Sequence, residues 1–93
     1  KRGLIVRVSV NVLHREALYM LKYKGYKDTL SEWYGNSVII WFKSSGMFKS
    51  SLLIEKLDCG FRYTLITPKT GSIQKSFTHN YLANLRLFIE GEL

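Results

Sequence analysis

Val38-Ile39-Ile40-Trp41-Phe42, led into by Trp33-Tyr34-Gly35-Asn36, decides the class of fold. Three β-branched residues in a short run that is apolar on both faces point to a central strand, because branched and aromatic side chains fit a pleated surface with neighbours on either side. The pattern continues downstream. Leu52 to Leu57 is a second apolar run, Asp58-Cys59-Gly60 has the composition of a turn, and Phe61, Tyr63 and Leu65 alternate within Phe61 to Thr67. Pro68-Lys69-Thr70-Gly71 is again turn-like, and Ile73, Lys75 and Phe77 alternate in a last short strand. Asn80 is placed to cap a closing helix whose apolar positions Leu82, Leu85, Phe88 and Ile89 have helical spacing, and Gly91 is placed to end it.

Upstream, Leu4, Val6, Val8, Val10 and Val12 share one face and Arg7, Ser9 and Asn11 the other, which predicts a half-buried strand over Leu4 to Val12. Leu13 to Lys24 stays open between two states. Leu13, Ala17, Leu18 and Leu21 form a helical stripe, whereas Tyr19, Leu21 and Tyr23 form a strand face. Gly25 punctuates, Tyr26 to Glu32 is polar and turn-like, and Ser44 to Ser51, with four serines and a glycine, reads as a flexible loop. The expected fold is α+β and β-rich: a small antiparallel sheet or an SH3-like partial barrel, with a C-terminal helix lying on it. Trp33, between a polar turn and an apolar strand, is expected to fill the core.

The 93 residues are expected to form one domain, since a chain of this length has material for a single core. The start without Met predicts a piece excised from a longer protein. A net charge of +7 biases the chain toward an anionic partner, or serves solubility alone. Cys59 is the lone cysteine, so an intrachain disulfide and a cysteine-based zinc site are excluded, which suits a reducing, intracellular setting in nucleus or cytoplasm. No apolar run approaches the ~20 residues that cross a bilayer, so no membrane role is expected.

The residues that carry chemistry are sparse. His14 and His79 stand in no metal-ligand spacing and read as surface or capping residues. The carboxylates, Glu16, Asp28, Glu32, Glu55, Asp58, Glu90 and Glu92, include no close pair suited to general acid and base work. Lys69-Thr70-Gly71 and Ser72-Ile73-Gln74-Lys75 match short elements of serine β-lactamases, but those elements belong far apart and here they adjoin. No cofactor and no catalysis are expected.

Tyr19 to Trp33 reads Tyr-Met-Leu-Lys-Tyr-Lys-Gly-Tyr-Lys-Asp-Thr-Leu-Ser-Glu-Trp. This resembles the signature of chromodomains and chromo-barrel domains, where a strand ends in Lys-aromatic-Lys-Gly-aromatic and a Trp follows a short polar turn. The resemblance implies a small barrel with Tyr23 and Tyr26 on its rim, as two walls of a cage for methylated lysine. Residues 1 to 10 contain no aromatic to supply a further wall, and Tyr34-Gly35 replaces the Glu-Pro that commonly follows the Trp. A rival order is that of ribbon-helix-helix DNA-binding regulators: Val6 to Val12 as ribbon, Leu13 to Lys24 as one helix, and Ser31-Glu32-Trp33-Tyr34 opening a second.

The function expected is a non-catalytic binding module associated with nucleic acid or chromatin. Lys22, Lys24, Lys27, Lys43, Lys49, Lys69 and Lys75 would contact phosphates, and Tyr23, Tyr26 and Tyr34 would supply ligand-facing aromatic surface. Lysines spread over several loops position a backbone without reading base edges, so low sequence specificity is expected. The alternatives are a reader of an acidic or histone-like protein segment, and an assembly domain of viral or mobile-element type whose charge serves solubility. A homodimer is compatible with each.

Overall fold

Apolar runs separated by turns of two or three residues leave each strand no partner but its neighbour, and that is the architecture found. A computed structural model describes residues 9–45 and 48–93. Helix α1 (Val10–Tyr23) precedes strands β1 (Leu30–Tyr34), β2 (Ser37–Ser45), β3 (Phe48–Leu57), β4 (Gly60–Thr67) and β5 (Gly71–Phe77), and helix α2 (Tyr81–Glu92) closes the chain. The five strands form one antiparallel sheet in sequence order, β1-β2-β3-β4-β5. The sheet is open, an α+β and β-rich fold, and not the partial barrel held as an alternative.

The turns explain the register. Gly35, with φ +58, opens the two-residue turn Gly35-Asn36 between β1 and β2, a position that hairpins of the II′ type give to glycine. Gly60, with φ +109, follows Asp58-Cys59 between β3 and β4 and lies under the end of β5: a Cβ there would sit 2.0 Å from the Phe77 carbonyl oxygen. Only glycine allows this crossing.

Period-two alternation then sends Val38, Ile40, Phe42, Leu52, Ile54, Phe61, Tyr63 and Leu65 to one face, where they join Val10, Leu13, Ala17, Met20 and Leu21 of α1 and Leu85, Phe88 and Ile89 of α2 in the core. The α1 set recurs every three to four residues, which settles the open segment: Leu13 to Tyr23 is helix. Tyr19 and Tyr23, which mimicked a strand face, are one turn apart on its outer side. Tyr63 donates its hydroxyl to the Tyr81 carbonyl at 2.8 Å, tying β4 to the first residue of α2, and burial raises its pKa above the ordinary tyrosine value. The helices run parallel to each other, joined by Arg86 to Glu16 at 2.8 Å and Lys24 to Glu90 at 3.5 Å.

Several expectations are corrected. Val10 to Val12, assigned to a strand, form the first turn of α1, where the Ser9 side chain accepts from the Val12 N–H; the earlier part of that strand, Leu4 to Val8, lies outside the described residues. Ser50 and Ser51, assigned to a loop, are buried in β3, because a central strand buries whatever residue its register requires. Tyr26 to Glu32 is not all turn, since β1 begins at Leu30. Ser31 to Tyr34 is a strand and not the second helix of a ribbon-helix-helix order. Trp33 is 46% exposed, since the short edge strand β1 gives it a neighbouring strand on one side only. Asn80 does precede α2, but in the left-handed region (φ 53) and without a side-chain cap, and the helix passes Gly91 to Glu92.

Candidate functional site

The sheet carries both helices on one face. Its other face presents Leu30, Glu32 and Tyr34 from β1, Ile39, Trp41 and Lys43 from β2, Lys49, Ser51 and Leu53 from β3, and Thr64 and Ile66 from β4, by register. No described helix covers it. Leu30, Tyr34 and Ile66 are 62%, 62% and 48% exposed, and Ile39, Trp41 and Leu53 are half-buried by their sheet neighbours. An apolar stripe therefore crosses the face from the β1 edge to β4.

At one end of this stripe a cleft of about 300 Å³ opens between Asp28, Leu30, Glu32, Trp41, Phe42, Lys43 and Lys49. Its origin is a mismatch of strand lengths. β1 starts at Leu30, opposite Trp41, so the last residues of β2 run on unaccompanied and leave a notch. Asp28, with φ 58, turns the chain into that notch, a conformation Asp tolerates better than most residues. Trp41 donates its indole N–H to Glu32, fixing the ring across the β1–β2 pair. Lys43 and Lys49 are direct cross-strand partners. Like charges so placed repel, and among the described residues neither has a carboxylate within salt-bridge distance.

The topology gathers lysines that the sequence spreads. The end of β2, the start of β3 and the β4–β5 turn lie at the same end of an antiparallel meander, and Tyr26 packs edge-to-face on Phe42 at 5.1 Å, bringing the end of α1 there too. Lys22, Lys27, Lys43, Lys49 and Lys69 are exposed at this end. Lys24 is there as well, but half-buried and paired with Glu90. Lys75 is apart, exposed in the middle of β5 opposite Tyr63 on the helix-bearing face.

The tyrosines separate. Tyr23 is 79% exposed and lines a groove between the helices with Glu16, Tyr19, Met20, Arg86 and Glu90. Tyr26 is spent on Phe42, and Tyr34 ends β1 on the uncovered face. The two-walled cage that the chromo resemblance implies for Tyr23 and Tyr26 is not assembled, because Tyr23 stands on a helix and points away from the sheet.

Sequence reasoning missed Trp41, Glu32, Asp28 and Leu30. The signal for Trp41 was present, in that Ile39 and Trp41 must face away from Val38, Ile40 and Phe42 in any strand. It also missed His14, which is not a capping or surface residue: its Nε2 lies 2.7 Å from Ser31 Oγ, and Trp33 packs edge-on at 5.0 Å. Burial lowers the His14 pKa. The contact joins α1 to β1. Among the described residues no group of His, Cys, Asp or Glu could hold a metal, and no described helix is long and apolar enough to cross a membrane.

No protein-family model, no curated protein and no solved structure matches the chain. The surface must be interpreted from its own chemistry.

Proposed function

We propose that this chain is a non-catalytic nucleic-acid-binding module that holds a phosphate backbone against the lysine-bearing end of its sheet. The observation that carries the reading is the Lys43–Lys49 couple, which has no ion-pair partner among the described residues and stands next to Trp41 on a face that no described helix covers. Two lysines on directly paired strand positions put like charges side by side, and an anion lying between them relieves the repulsion. Lys22, Lys27 and Lys69 extend positive charge around the same end, which favours a polyanion over a single small anion.

Fluorescence anisotropy with labelled single- and double-stranded oligonucleotides, at two salt concentrations, tests this. Binding is expected to weaken steeply with salt, since each neutralised phosphate releases about 0.7–0.9 of a counterion. The double substitution Lys43→Glu and Lys49→Glu should weaken binding by about tenfold or more, because it reverses the central charge pair. An absence of binding at about 50 mM salt, where such contacts are strong, rejects the reading.

A further inference from the structure

The cleft beside the lysine couple contains more than a phosphate site requires. Asp28 and Glu32 contribute carboxylates to the same walls that carry Lys43 and Lys49. Carboxylates repel phosphate, so a site for backbone alone is poorer for having them. Leu30, Trp41 and Phe42 supply apolar wall, which neither phosphate nor sugar needs. The three features together offer a partner to each part of a nucleotide: lysines for the phosphate, an apolar wall for the planar ring, and carboxylates for amino hydrogens.

We infer that this cleft seats one unpaired, amino-bearing base of a single-stranded nucleic acid, with Trp41 as its stacking wall, Asp28 and Glu32 as acceptors of its amino hydrogens, and Lys43 and Lys49 on the adjoining phosphates. The inference rests on the nucleic-acid reading above and narrows it to a strand class and a base class. Cytosine, adenine and guanine carry exocyclic amino donors, whereas thymine and uracil offer only an N3–H flanked by two carbonyl oxygens that a carboxylate repels, so a carboxylate favours the first set. A duplex keeps its bases stacked and paired. At about 300 Å³ the cleft is at the lower limit of small-molecule pockets, ~300–1,000 Å³, and admits one ring system inserted edge-first.

The geometry of Trp41 supports this role. Its indole N–H is held by Glu32, so the ring is pre-oriented and loses little freedom when a base stacks on it. Beyond it, Ile39, Leu53 and Ile66 continue an apolar surface along which neighbouring bases can lie without being read. Asp28 lines the cleft and makes no hydrogen bond or ion pair among the described residues.

The test compares oligo-dC and oligo-dT of about twelve nucleotides, within the site size of a small single-strand-binding domain, by anisotropy and by tryptophan quenching. The wild-type chain is expected to bind oligo-dC about tenfold more tightly, the discrimination one carboxylate–amino contact provides. Asp28→Asn combined with Glu32→Gln should bring the ratio of the two affinities to about one, since an amide donates to a thymine carbonyl as readily as it accepts from a cytosine amino group. Trp41→Leu, with an unchanged thermal melt as its control for folding, should remove most of the quenching and weaken both complexes. Equal affinity of the wild type for the two strands overturns the base-seating inference and leaves the phosphate reading standing. Tighter binding to duplex than to either single strand also overturns it. Absence of binding to all three removes both, and self-association of the chain through the same face, abolished by Trp41→Leu, would identify a second copy as the occupant.

Discussion

The two faces of the sheet are made by the same strands, with residues assigned to them alternately, and they differ in what finishes them. On one, Ile40, Leu52 and Tyr63 are fully enclosed by the helices. On the other, Trp41, Leu53 and Ile66 come from the same strands and have comparable apolar bulk, yet no described helix covers them. A sheet needs one buried face to fold. The apolar content of the second face is more than folding requires, and an exposed apolar stripe edged by charge marks a surface for a partner.

The sharpest way to break this comparison uses adjacent residues. Leu52→Ala is expected to cost about 2–5 kcal/mol, the cost of a cavity in a closed core, whereas Leu53→Ala, at a half-buried position, should cost about 1 kcal/mol or less. Denaturant unfolding of the two variants decides it. Equal losses would mean that the uncovered face is covered in solution.

A smaller effect sharpens the covered side. Tyr63→Phe removes the hydroxyl that holds the Tyr81 carbonyl while keeping the ring, and is expected to cost about 1 kcal/mol, the net worth of one such hydrogen bond. Spectrophotometric titration of the wild type should leave one tyrosine un-ionised well above the ordinary range, and the variant should lack it. If the alkaline titration is the same in both, the hydroxyl is not buried under α2.

The smallest effect falls where helix and edge strand meet. Burial disfavours the His14 imidazolium, so the folded pKa lies below the usual 6.5. As pH falls through that usual value the unfolded chain takes up its proton first, and the folded state loses stability until its own ring is protonated. His14→Gln keeps a hydrogen-bonding group near Ser31 and has no such titration. The wild type should therefore lose slightly more melting temperature than the variant between about pH 7.5 and 5, a range that spans histidine titration. Parallel pH curves for the two would show that His14 is solvated in both states.

How much of this was legible depended on whether the deciding force was local. Phe61, Tyr63 and Leu65 alternate, and Leu82, Leu85, Phe88 and Ile89 follow a helical period, because each set faces one core; both elements could be read directly. Val10 and Val12 alternate equally well and are helical, since the Ser9 cap and the Leu13, Ala17 and Leu21 stripe outweigh a β-branched preference worth well under 1 kcal/mol per residue. Ser50 and Ser51 looked like loop because their composition is polar, and only their place in a central strand buries them. The lysines were identified as binding candidates, but not that five of them stand exposed at one end. That depends on which turns project together, a property of strand order. The cleft was invisible for a related reason: it exists because β1 is shorter than β2, and edge registers leave no mark in a single sequence.

The contact between the two helices sets the order in which the molecule can close. Each strand pairs with the one made just before or after it, the kind of local contact that forms quickly. Arg86 meets Glu16 across 70 positions of chain, a loop whose closure becomes favourable once the hairpins have shortened the path between its ends. Docking of α2 on Tyr63 is thus expected to follow formation of the hairpins. Until Leu85, Phe88 and Ile89 arrive, the meander is an apolar surface on both sides, and the interval before that docking is when this chain is most exposed to aggregation and to capture by chaperones.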